Sequence, residues 1–597
     1  MIQTLYQIGQ AIKNDSDYEQ YFQPWGNPYP KQDANVIVID VENKKYKKIS
    51  IEILRTKYLK NYLYKSGSTK GRATNSVPTV PYVTPKSSFD KLAQSIKSYK
   101  HDFIQKNELE KVEKALSNLE LTDEVPHLIT FRIDGKYLGE IPELVESFED
   151  KAYETNFKKV YAKKDSKASD YICALNGKRT TVYGFVDSLG FTVNDDAYMR
   201  NGFDQSNSYK MFPVGIDALK TLNGIKSLVF TNEFSHKFSG KIKYLILPKF
   251  ISNNKELIKE IFKKFKDKQA LNLYSGKEDR GINGFINDTD HLIEEILEDE
   301  DLHRQDILYD ILFYEGKQSQ LSLYLQLTDV RPSRLKLIMN TKLAIEKFYA
   351  DLTNFDDGKK QYTFHINLFS IQLFLMTEQG RNKTPHPYFY KLTEAIFYGQ
   401  KVDKAIFNRF LLIKFRKAFK ELHENQYGLQ TAVKESFTIL RFLEYLNVFR
   451  TKNSINMEQT KEKVKLDAIG FINQHSDFFN TNYKKGAFLF GCLITRLMYN
   501  QPGNAFLKEL NDLSIDKALI EKKFPKLIAK LRQYGHEFRD LEQAAANHLT
   551  DQSKITKDDI SFAVSLGLIL QKEFDVRNKK IKEVKTELGT KHEIVES

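Results

Sequence analysis

The sequence KKGAFLFGCLITRLMYNQPGNAF, at Lys484–Phe506, determines how the C-terminal part of the chain must fold. From Ala487 to Tyr499 it is apolar around nearly its whole circumference, and the interruptions are Thr495 and Arg496. Such a run is too short to cross a bilayer and too apolar to lie on a surface. It therefore predicts a buried central helix, which the proline and glycine that follow should end.

A second apolar stretch, KDDISFAVSLGLILQKEF at Lys557–Phe574, complements the first. Thr556 and Asp559 have the spacing of a capping box, which predicts that a helix begins here. Gly491 and Gly567 would let the two helices approach closely, since neither carries a side chain. With charged helices around this pair, the sequence predicts a C-terminal helical bundle.

Composition limits the class of protein. A chain of 597 residues is long enough for several domains, each with its own core. Its formal net charge of +13 favours a polyanionic partner, and its aromatic content of 13% suits stacking on bases. Two cysteines, Cys173 and Cys492, exclude a disulfide framework and a four-cysteine zinc site. The first residues do not resemble a signal peptide and no window qualifies as a membrane span, so we expect a cytoplasmic protein.

The predicted fold class is α+β, arranged in four regions. The sequence predicts an N-terminal mixed α/β domain at residues 1–170 and a strand-rich segment at residues 171–250. Residues 251–450 read as a mostly helical middle region, and residues 457–597 form the C-terminal helical bundle.

Apolar runs and turn residues predict the individual elements. The predicted strands are VIVID (36–40), KISIEIL (48–54), HLITFRID (127–134), Thr180–Val186, Ser227–Phe230 and Lys243–Leu247. The predicted helices of the middle region are Lys255–Lys268, Asp288–Tyr314, Arg334–Leu352, Tyr388–Leu422 and Thr431–Phe449. Asp134-Gly135 is a hairpin signal, and Pro525 suits the first turn of a helix in the bundle.

Four stretches in a fixed order carry a resemblance to a known family. They are KYLKNYLYKSGSTKGRATNSVPT (57–79), YICALNGKRTTVYGFVDSLGFTVND (171–195), YKMFPVGIDALKTLNG (209–224) with KIKYLILPKFI (241–251), and the C-terminal pair of apolar helices. Together they resemble the large subunit of type I-B CRISPR Cascade, a crRNA-guided DNA surveillance complex. The resemblance covers most of the chain and includes no catalytic signature.

The sequence departs from that family at a zinc site. Relatives place a CxxC pair in each of the second and third stretches, which form a zinc-ribbon-like knuckle. Here Cys173 stands alone, Asn176 takes the partner position, and FPVG at 212–215 replaces the second pair. One thiol cannot supply a tetrahedral site, and His236 is a lone, distant candidate. We expect a degenerate knuckle without metal, and an unusual Cys/His/Asp site is the alternative.

The resemblance implies a non-catalytic subunit of an RNA–protein assembly. In such systems guide RNA pairing reads the target, while protein reads a short flanking motif, the PAM, and holds the displaced strand. The implied partners are the crRNA-bound backbone and 5′-end-capping subunits, target double-stranded DNA, the displaced single strand, a small subunit and a recruited helicase–nuclease. Related genes can yield the small subunit from their 3′ portion, which makes Met457 a candidate internal start. No cofactor and no membrane are implied.

Two sets of residues are candidates for contacts with DNA. The first lies in a Gly/Ser-rich loop whose side chains can engage phosphates, guanine edges or bases. These candidates for PAM and duplex contact are Lys65, Ser68, Thr69, Lys70, Arg72 and Asn75. The second set, on later helices, could follow the backbone of single-stranded DNA. It consists of Lys414, Arg416, Lys417, Lys522, Lys523, Lys526, Lys530 and Arg532. A solvated loop or helix face is the alternative for each.

The sequence carries no enzyme signature that we recognise. It has no GxxxxGK[ST] phosphate loop, no GxSxG elbow and no HExxH motif. His101-Asp102 and Asp290-His291 lack the further ligands that a metal-dependent phosphohydrolase requires. We therefore expect no catalysis. The alternatives are a divergent metal-dependent nuclease and a basic RNA-binding scaffold unrelated to DNA.

Overall fold

The structure is a computed structural model. It describes residues 1–29, 32–65, 78–99, 102–121, 125–158, 165–186, 204–230, 235–239, 241–251, 254–264, 307–317, 320–353, 355–356, 361–375, 386–422, 426–449, 467–501 and 505–593. The chain forms two compact units. One comprises Met1–Ser235, Leu245–Lys266 and Glu315–Ser322, and the other His236–Tyr244, Asp267–Tyr314 and Leu323–Ser597.

A five-stranded sheet forms the centre of the first unit. Its elements are α1 (Ile2–Ile12), β1 (Asn35–Glu42), β2 (Lys45–Ile53), α2 (Leu59–Tyr62), β3 (Val80–Pro81), α3 (Pro85–Tyr99), α4 (Lys106–Ser117), β4 (His127–Ile133), β5 (Lys136–Tyr137) and α5 (Pro142–Tyr153). The strand order is β2-β1-β4-β3, and β5 pairs with β4. β1 is antiparallel to β2 and parallel to β4. The predicted strands and the hairpin at Asp134-Gly135 are confirmed.

Both faces of β1 are buried, which explains why its sequence is a continuous apolar run. On one face Ile37 and Ile39 join a core that helices α3, α4 and α5 cover. On the other face Val36 and Val38 pack with Tyr62 and Tyr64, from the chain around α2. The segment that leads into the candidate DNA loop is therefore part of the core.

The described part of the strand-rich segment contains strands and one long helix. A three-stranded sheet consists of β6 (Lys167–Ile172), β7 (Arg179–Tyr183) and β8 (Val214–Gly215), and it is followed by α6 (Ile216–Val229). The predicted strand at Ser227–Phe230 is wrong, because these residues belong to the end of α6 and the residue that caps it. Leu219, Leu222 and Ile225 have helical spacing and are fully buried, and this periodicity extends to the end of the helix.

A second sheet corrects the prediction for the middle region. It consists of β9 (His236–Ser239), β10 (Ile242–Phe250), β11 (Ile307–Lys317) and β12 (Gln320–Val330), in the order β12-β11-β10-β9. The predicted helix Asp288–Tyr314 is wrong over residues 307–314, which lie in β11, and its earlier part falls outside the described residues. Tyr309, Ile311, Leu312 and Phe313 are all buried, so the strand shows no alternation that would distinguish it from a helix.

The remaining elements are mostly helical. Their bounds are α7 (Lys255–Lys264), α8 (Pro332–Phe348), α9 (Ala350–Thr353), α10 (Leu368–Phe374), α11 (Pro387–Tyr398), α12 (Lys404–Lys420), α13 (Gln426–Tyr445), α14 (Ala468–Gln474), α15 (Asn482–Met498), α16 (Lys517–Gln533), α17 (Arg539–Leu549) and α18 (Lys557–Glu593). A short hairpin joins β13 (Phe355–Asp356) and β14 (Gln361–Tyr362). The α+β fold class is confirmed. No helix within the described ranges is long and apolar enough to cross a membrane.

Helix α15 is the buried central helix that its sequence predicts, and α16, α17 and α18 pack around it. A Cβ atom at Gly491 would lie 2.2 Å from the carbonyl oxygen of Val564. A Cβ atom at Gly567 would lie 2.0 Å from the carbonyl oxygen of Phe488. The close approach predicted from the two glycines is therefore confirmed.

The helix starts in this unit follow capping residues. Thr556 accepts a hydrogen bond from the Asp559 backbone N–H at 3.1 Å, which confirms the predicted cap of α18. The prediction for Pro525 is wrong, because it lies in the interior of α16 and not in the first turn. α16 begins earlier because Asp516 caps it, accepting a hydrogen bond from the Leu519 N–H at 2.9 Å.

Candidate nucleic-acid interface

The residues that precede the predicted loop at 66–77 are held by main-chain contacts. Lys65 forms an isolated β-bridge with Trp25, and the Gly26 N–H donates to the Tyr64 carbonyl at 2.9 Å. Burial lowers the pKa of the Lys65 ammonium. Lys65 is the member of the first candidate set that the structure describes. Ser68, Thr69, Lys70, Arg72 and Asn75 lie outside the described residues.

The residues that follow the predicted loop are also fixed. Thr79 is fully buried, and its hydroxyl donates to the Tyr62 carbonyl at 2.6 Å and lies 2.9 Å from the Thr130 hydroxyl. Val80 then pairs with Ile129 of β4. The Thr79–Tyr62 bond therefore joins the described residues on either side of 66–77 directly.

An ion network supports the sheet face beside these ends. Arg132 of β4 donates to both carboxylate oxygens of Asp40 at 2.6 and 3.0 Å, and to Glu52 at 3.0 Å. Tyr137 donates to Glu52 at 2.5 Å and packs edge-on against Tyr62 at 5.7 Å. Two carboxylates thus pair with Arg132, so its charge is neutralised within the fold and is not available to bind a ligand.

Helix α12 presents a basic face in which the three candidates differ in exposure. The Lys414 ammonium lies 3.7 Å from the centre of the Phe374 ring, and burial lowers its pKa. Arg416 is partly buried, and within the described part of the chain its Nε has no hydrogen-bond partner. Lys417 is exposed, 4.0 Å from Glu421. Lys414 is therefore the least available of the three.

Sequence reasoning missed part of this surface. Arg416, Lys417 and Glu421 line a shallow depression of about 420 Å³ together with Ile413 and Lys420, neither of which was singled out. Ile413 is 56% exposed, so the depression combines charge with apolar surface. The spacing of 413, 416 and 420 places these side chains on one helix face, and that periodicity was the available signal.

Helix α16 brings three candidate lysines together around one carboxylate. Lys523, Lys526 and Lys530 approach Glu509 with N–O distances of 2.5, 2.8 and 3.8 Å. The hydrogen bonds from Lys523 and Lys526 lower the pKa of Glu509 to about 2, so it is ionised at neutral pH. Lys522 is exposed on the same helix.

The last candidate, Arg532, is paired with different carboxylates. It lies 3.1 Å from Glu542 and 3.8 Å from Glu537. Sequence reasoning identified Arg532 and the lysines but not their acidic partners. Glu509 precedes Lys523 by 14 residues, and no local spacing rule connects residues that far apart.

The helical segment Leu507–Leu513, here called the acidic segment, carries Glu509 and is kinked. Asn511, Asp512 and Leu513 have positive φ angles of 47°, 52° and 63°. The left-handed conformation costs about 1–2 kcal/mol for a residue such as leucine. Asp512 forms an ion pair with Lys420 of α12 at 3.4 Å. The acidic segment therefore contacts both α12 and α16, the helices that carry the candidate residues for single-stranded DNA binding.

A buried ionic cluster beneath α12 is a second feature that the sequence did not reveal. Arg441 is 1% exposed and pairs with Glu444 at 2.6 Å and with Asp477. Lys404, on the first turn of α12, reaches Glu444 at 2.5 Å. Burial lowers the pKa of the nearby Lys484 ammonium to about 7. The cluster joins α12, α13 and α15, and so it fixes the position of the basic helix.

The degenerate knuckle is held by main-chain hydrogen bonds. The Gly215 N–H donates to the Cys173 sulfur at 3.4 Å, and the Ala174 N–H donates to the Pro213 carbonyl at 2.8 Å. At the partner position, Asn176 accepts from the Lys178 N–H at 3.0 Å. This donor set is one buried thiol among amide groups, which does not fit zinc. The described residues contain no group of three or more His, Cys, Asp or Glu that could hold a metal ion.

Comparison with protein families accounts for most of the chain. Models of CRISPR-associated protein TM1802 match in order, with the N-terminal domain at residues 1–150, the central domain at 170–330 and the C-terminal domain at 366–582. The chain belongs to the CRISPR-associated TM1802 family. The predicted membership of a CRISPR-associated family is thus confirmed. A search of curated proteins gave no match.

The three TM1802 domains contain the features described above. The ends of the candidate loop lie in the N-terminal domain and the degenerate knuckle lies in the central domain. The basic helices α12 and α16, the acidic segment and the buried cluster lie in the TM1802 C-terminal domain.

Proposed function

We propose that this TM1802-family protein is the non-catalytic large subunit of a type I-B CRISPR Cascade. It recognises the PAM in target DNA, supports R-loop formation and recruits a helicase–nuclease. The observation that carries this proposal is the ordered match to all three domains of a CRISPR-associated family. Guide RNA pairing reads the target in such assemblies, so the protein needs to read only a short duplex motif. Such a complex acts in the cytoplasm.

PAM contact is assigned to the loop at 66–77. The flanking residues are anchored, Lys65 by its bridge to Trp25 and Thr79 by its hydrogen bond to Tyr62, so a fixed base would present the loop. Arg72 carries a guanidinium that can bind a guanine through two hydrogen bonds, and Asn75 can bind an adenine in the same manner. Each such contact discriminates against the wrong base by about 1–3 kcal/mol, which is a factor of roughly 5 to 150 in affinity.

The assembled complex should be tested on targets with the correct and an incorrect flanking motif. Arg72→Ala and Asn75→Ala are expected to collapse the difference in affinity between the two targets while assembly with guide RNA stays intact. Arg539→Ala is a matched control, because that guanidinium is 84% exposed on α17 and its removal changes the charge equally. Equal losses on both targets would make the loop an electrostatic clamp, and no loss would refute the assignment.

The displaced strand is assigned to the basic faces of α12 and α16. Arg416, Lys417, Lys522 and the three lysines around Glu509 would follow its phosphates, as basic grooves do for single strands. The remaining partners are the backbone and 5′-end-capping subunits and a small subunit. Cleavage falls to the recruited nuclease. The purified chain should therefore leave DNA intact with Mg²⁺ or Mn²⁺, and cleavage that stops on chelation would establish a nuclease instead.

A further inference from the structure

The basic face of α16 is already occupied by an anion that belongs to the chain itself. Lys523, Lys526 and Lys530 are spaced three and four residues apart, so their side chains share one helix face. Lys526 donates to both oxygens of Glu509 at 2.8 Å, while Lys523 donates to one of them at 2.5 Å. A carboxylate with several ammonium donors at such distances resembles the way lysines surround a phosphate oxyanion.

We propose that Glu509 and Asp512 occupy the positions of two phosphates and must be displaced before single-stranded DNA can bind α16 and the end of α12. The inference rests on the proposed function, since it concerns the surface assigned to the displaced strand. The acidic segment thereby inhibits non-specific binding to single strands. Only a strand held nearby at high local concentration displaces both carboxylates.

An exposed aromatic ring indicates a single strand as the ligand. Tyr534 follows Lys530 by four residues, at the end of the same helix face, and is 39% exposed. A base can stack on such a ring only when it is not paired within a duplex, and stacking next to a basic groove is typical of single-strand binding. The face thus combines a cradle for phosphate with a platform for a base.

The acidic segment is built to hold its carboxylates in place. Leu507, Leu510 and Leu513 are buried and anchor it, while positive φ angles at Asn511 and Asp512 turn the chain between them. Glu509 and Asp512 consequently reach different basic helices from a single short segment. The proposal requires displacement of these two side chains, while the buried leucines can keep the segment in place.

Salt dependence of binding measures how many lysines are free. For single strands, the slope of log K against log salt concentration is about −0.7 for each phosphate neutralised. Glu509→Gln should free three lysines, which tightens binding. The slope should steepen by at least about 0.7, the value for the one phosphate whose position Glu509 occupies, and by up to about 2 when each lysine neutralises its own phosphate. Asp512→Asn should free Lys420 alone and steepen the slope by about 0.7. The second variant removes a single exposed ion pair and so preserves the fold if Glu509→Gln does not.

The experiment uses the full-length chain and a fluorescent oligothymidine, with anisotropy measured over a series of NaCl concentrations. Glu42→Gln is the matched control, because it changes the net charge equally and breaks an exposed pair with Lys47 at 2.9 Å. Lys523, Lys526 and Lys530 changed together to alanine in the Glu509→Gln background should abolish the gain. Tyr534→Ala should weaken binding in both backgrounds without changing the slope.

If Glu509→Gln and Glu42→Gln bind the oligothymidine with the same affinity and the same salt slope, the proposal is overturned. A gain in affinity that persists without the three lysines would also overturn it. If no variant binds the oligothymidine, the surface is not a single-strand site and the proposal is also overturned. The flanking-motif assay uses duplex targets, the assembled complex and different residues. It therefore decides the proposed function whatever the result obtained here.

Discussion

Replacing Gly491 by alanine should loosen the contact between α15 and α18, the two helices at the centre of the C-terminal unit. The new Cβ atom would lie 2.2 Å from the Val564 carbonyl oxygen and 2.8 Å from the Leu568 nitrogen. Real Cβ contacts essentially never fall below 3.0 Å, so the helices must separate locally by roughly 0.8 Å. Both neighbours are backbone atoms of a buried helix, and no side chain can rotate away to relieve the contact.

The expected loss of stability follows from two opposing effects. Inserting a group into a well-packed core costs about 1–3 kcal/mol, and a backbone clash belongs at the upper end of that range. Alanine also favours a helix over glycine by about 1 kcal/mol. The free energy of local opening should therefore fall by about 2 kcal/mol, roughly a thirtyfold increase in the open fraction.

Hydrogen exchange on peptides from α15 measures this opening directly, whereas a thermal melt of the whole chain would combine the unfolding of both units. Gly316→Ala is the control, since no atom lies within 4 Å of a Cβ placed there. It should leave exchange in α15 unchanged. Unchanged or slower exchange in Gly491→Ala would refute the reasoning, because it would mean that helix propensity outweighs the steric contact.

Three further outcomes are expected. Purified protein should contain far less than one zinc per chain, because the Cys173 sulfur lacks partner thiols. Metal analysis that finds about one zinc per chain, lost in Cys173→Ser, would contradict this. Stability of the C-terminal unit should rise with pH above about 7, because burial lowers the pKa of Lys484 from 10.5 to about 7 and unfolding then takes up a proton. Urea unfolding at pH 7, 8 and 9 should show that rise in the natural protein and a smaller one in Lys484→Met. Met457, which lies outside the described residues, should start a short C-terminal product that disappears in Met457→Ala. If expression of the natural gene yields no such product, the prediction of an internal start is wrong.

Elements with strong local signals could be predicted from the sequence. Helix α15 carries a long apolar run, α18 opens on a capping box, and β1 and β2 flank a short polar turn. Errors arose where local signals conflict. Strand β11 is buried on both faces and thus lacks alternation, while Pro525 resembles a helix start although Asp516 supplies the cap. Burial is a property of the tertiary structure, and no short window contains it.

The candidate site was only partly predictable for a similar reason. The sequence identifies basic residues, but their availability depends on partners that are distant along the chain. Lys414 lies over Phe374, and Lys523 and Lys526 pair with Glu509. Arg132 illustrates the same point, since its partner Asp40 is 92 residues away. Net charge therefore indicates a class of ligand, while the folded structure determines which charges are free to bind it.

The joined ends of the candidate loop affect how this protein can diverge. Because Thr79 bonds directly to Tyr62, the described residues on either side of 66–77 are held together without a contribution from those twelve residues. Doubling the length of such a connection costs only about 0.6 kcal/mol in closure entropy. Substitutions and insertions there are consequently close to neutral for folding. Under the proposed function, natural selection, or a directed-evolution library restricted to residues 66–77, can explore new flanking-sequence preferences without first acquiring stabilising mutations elsewhere.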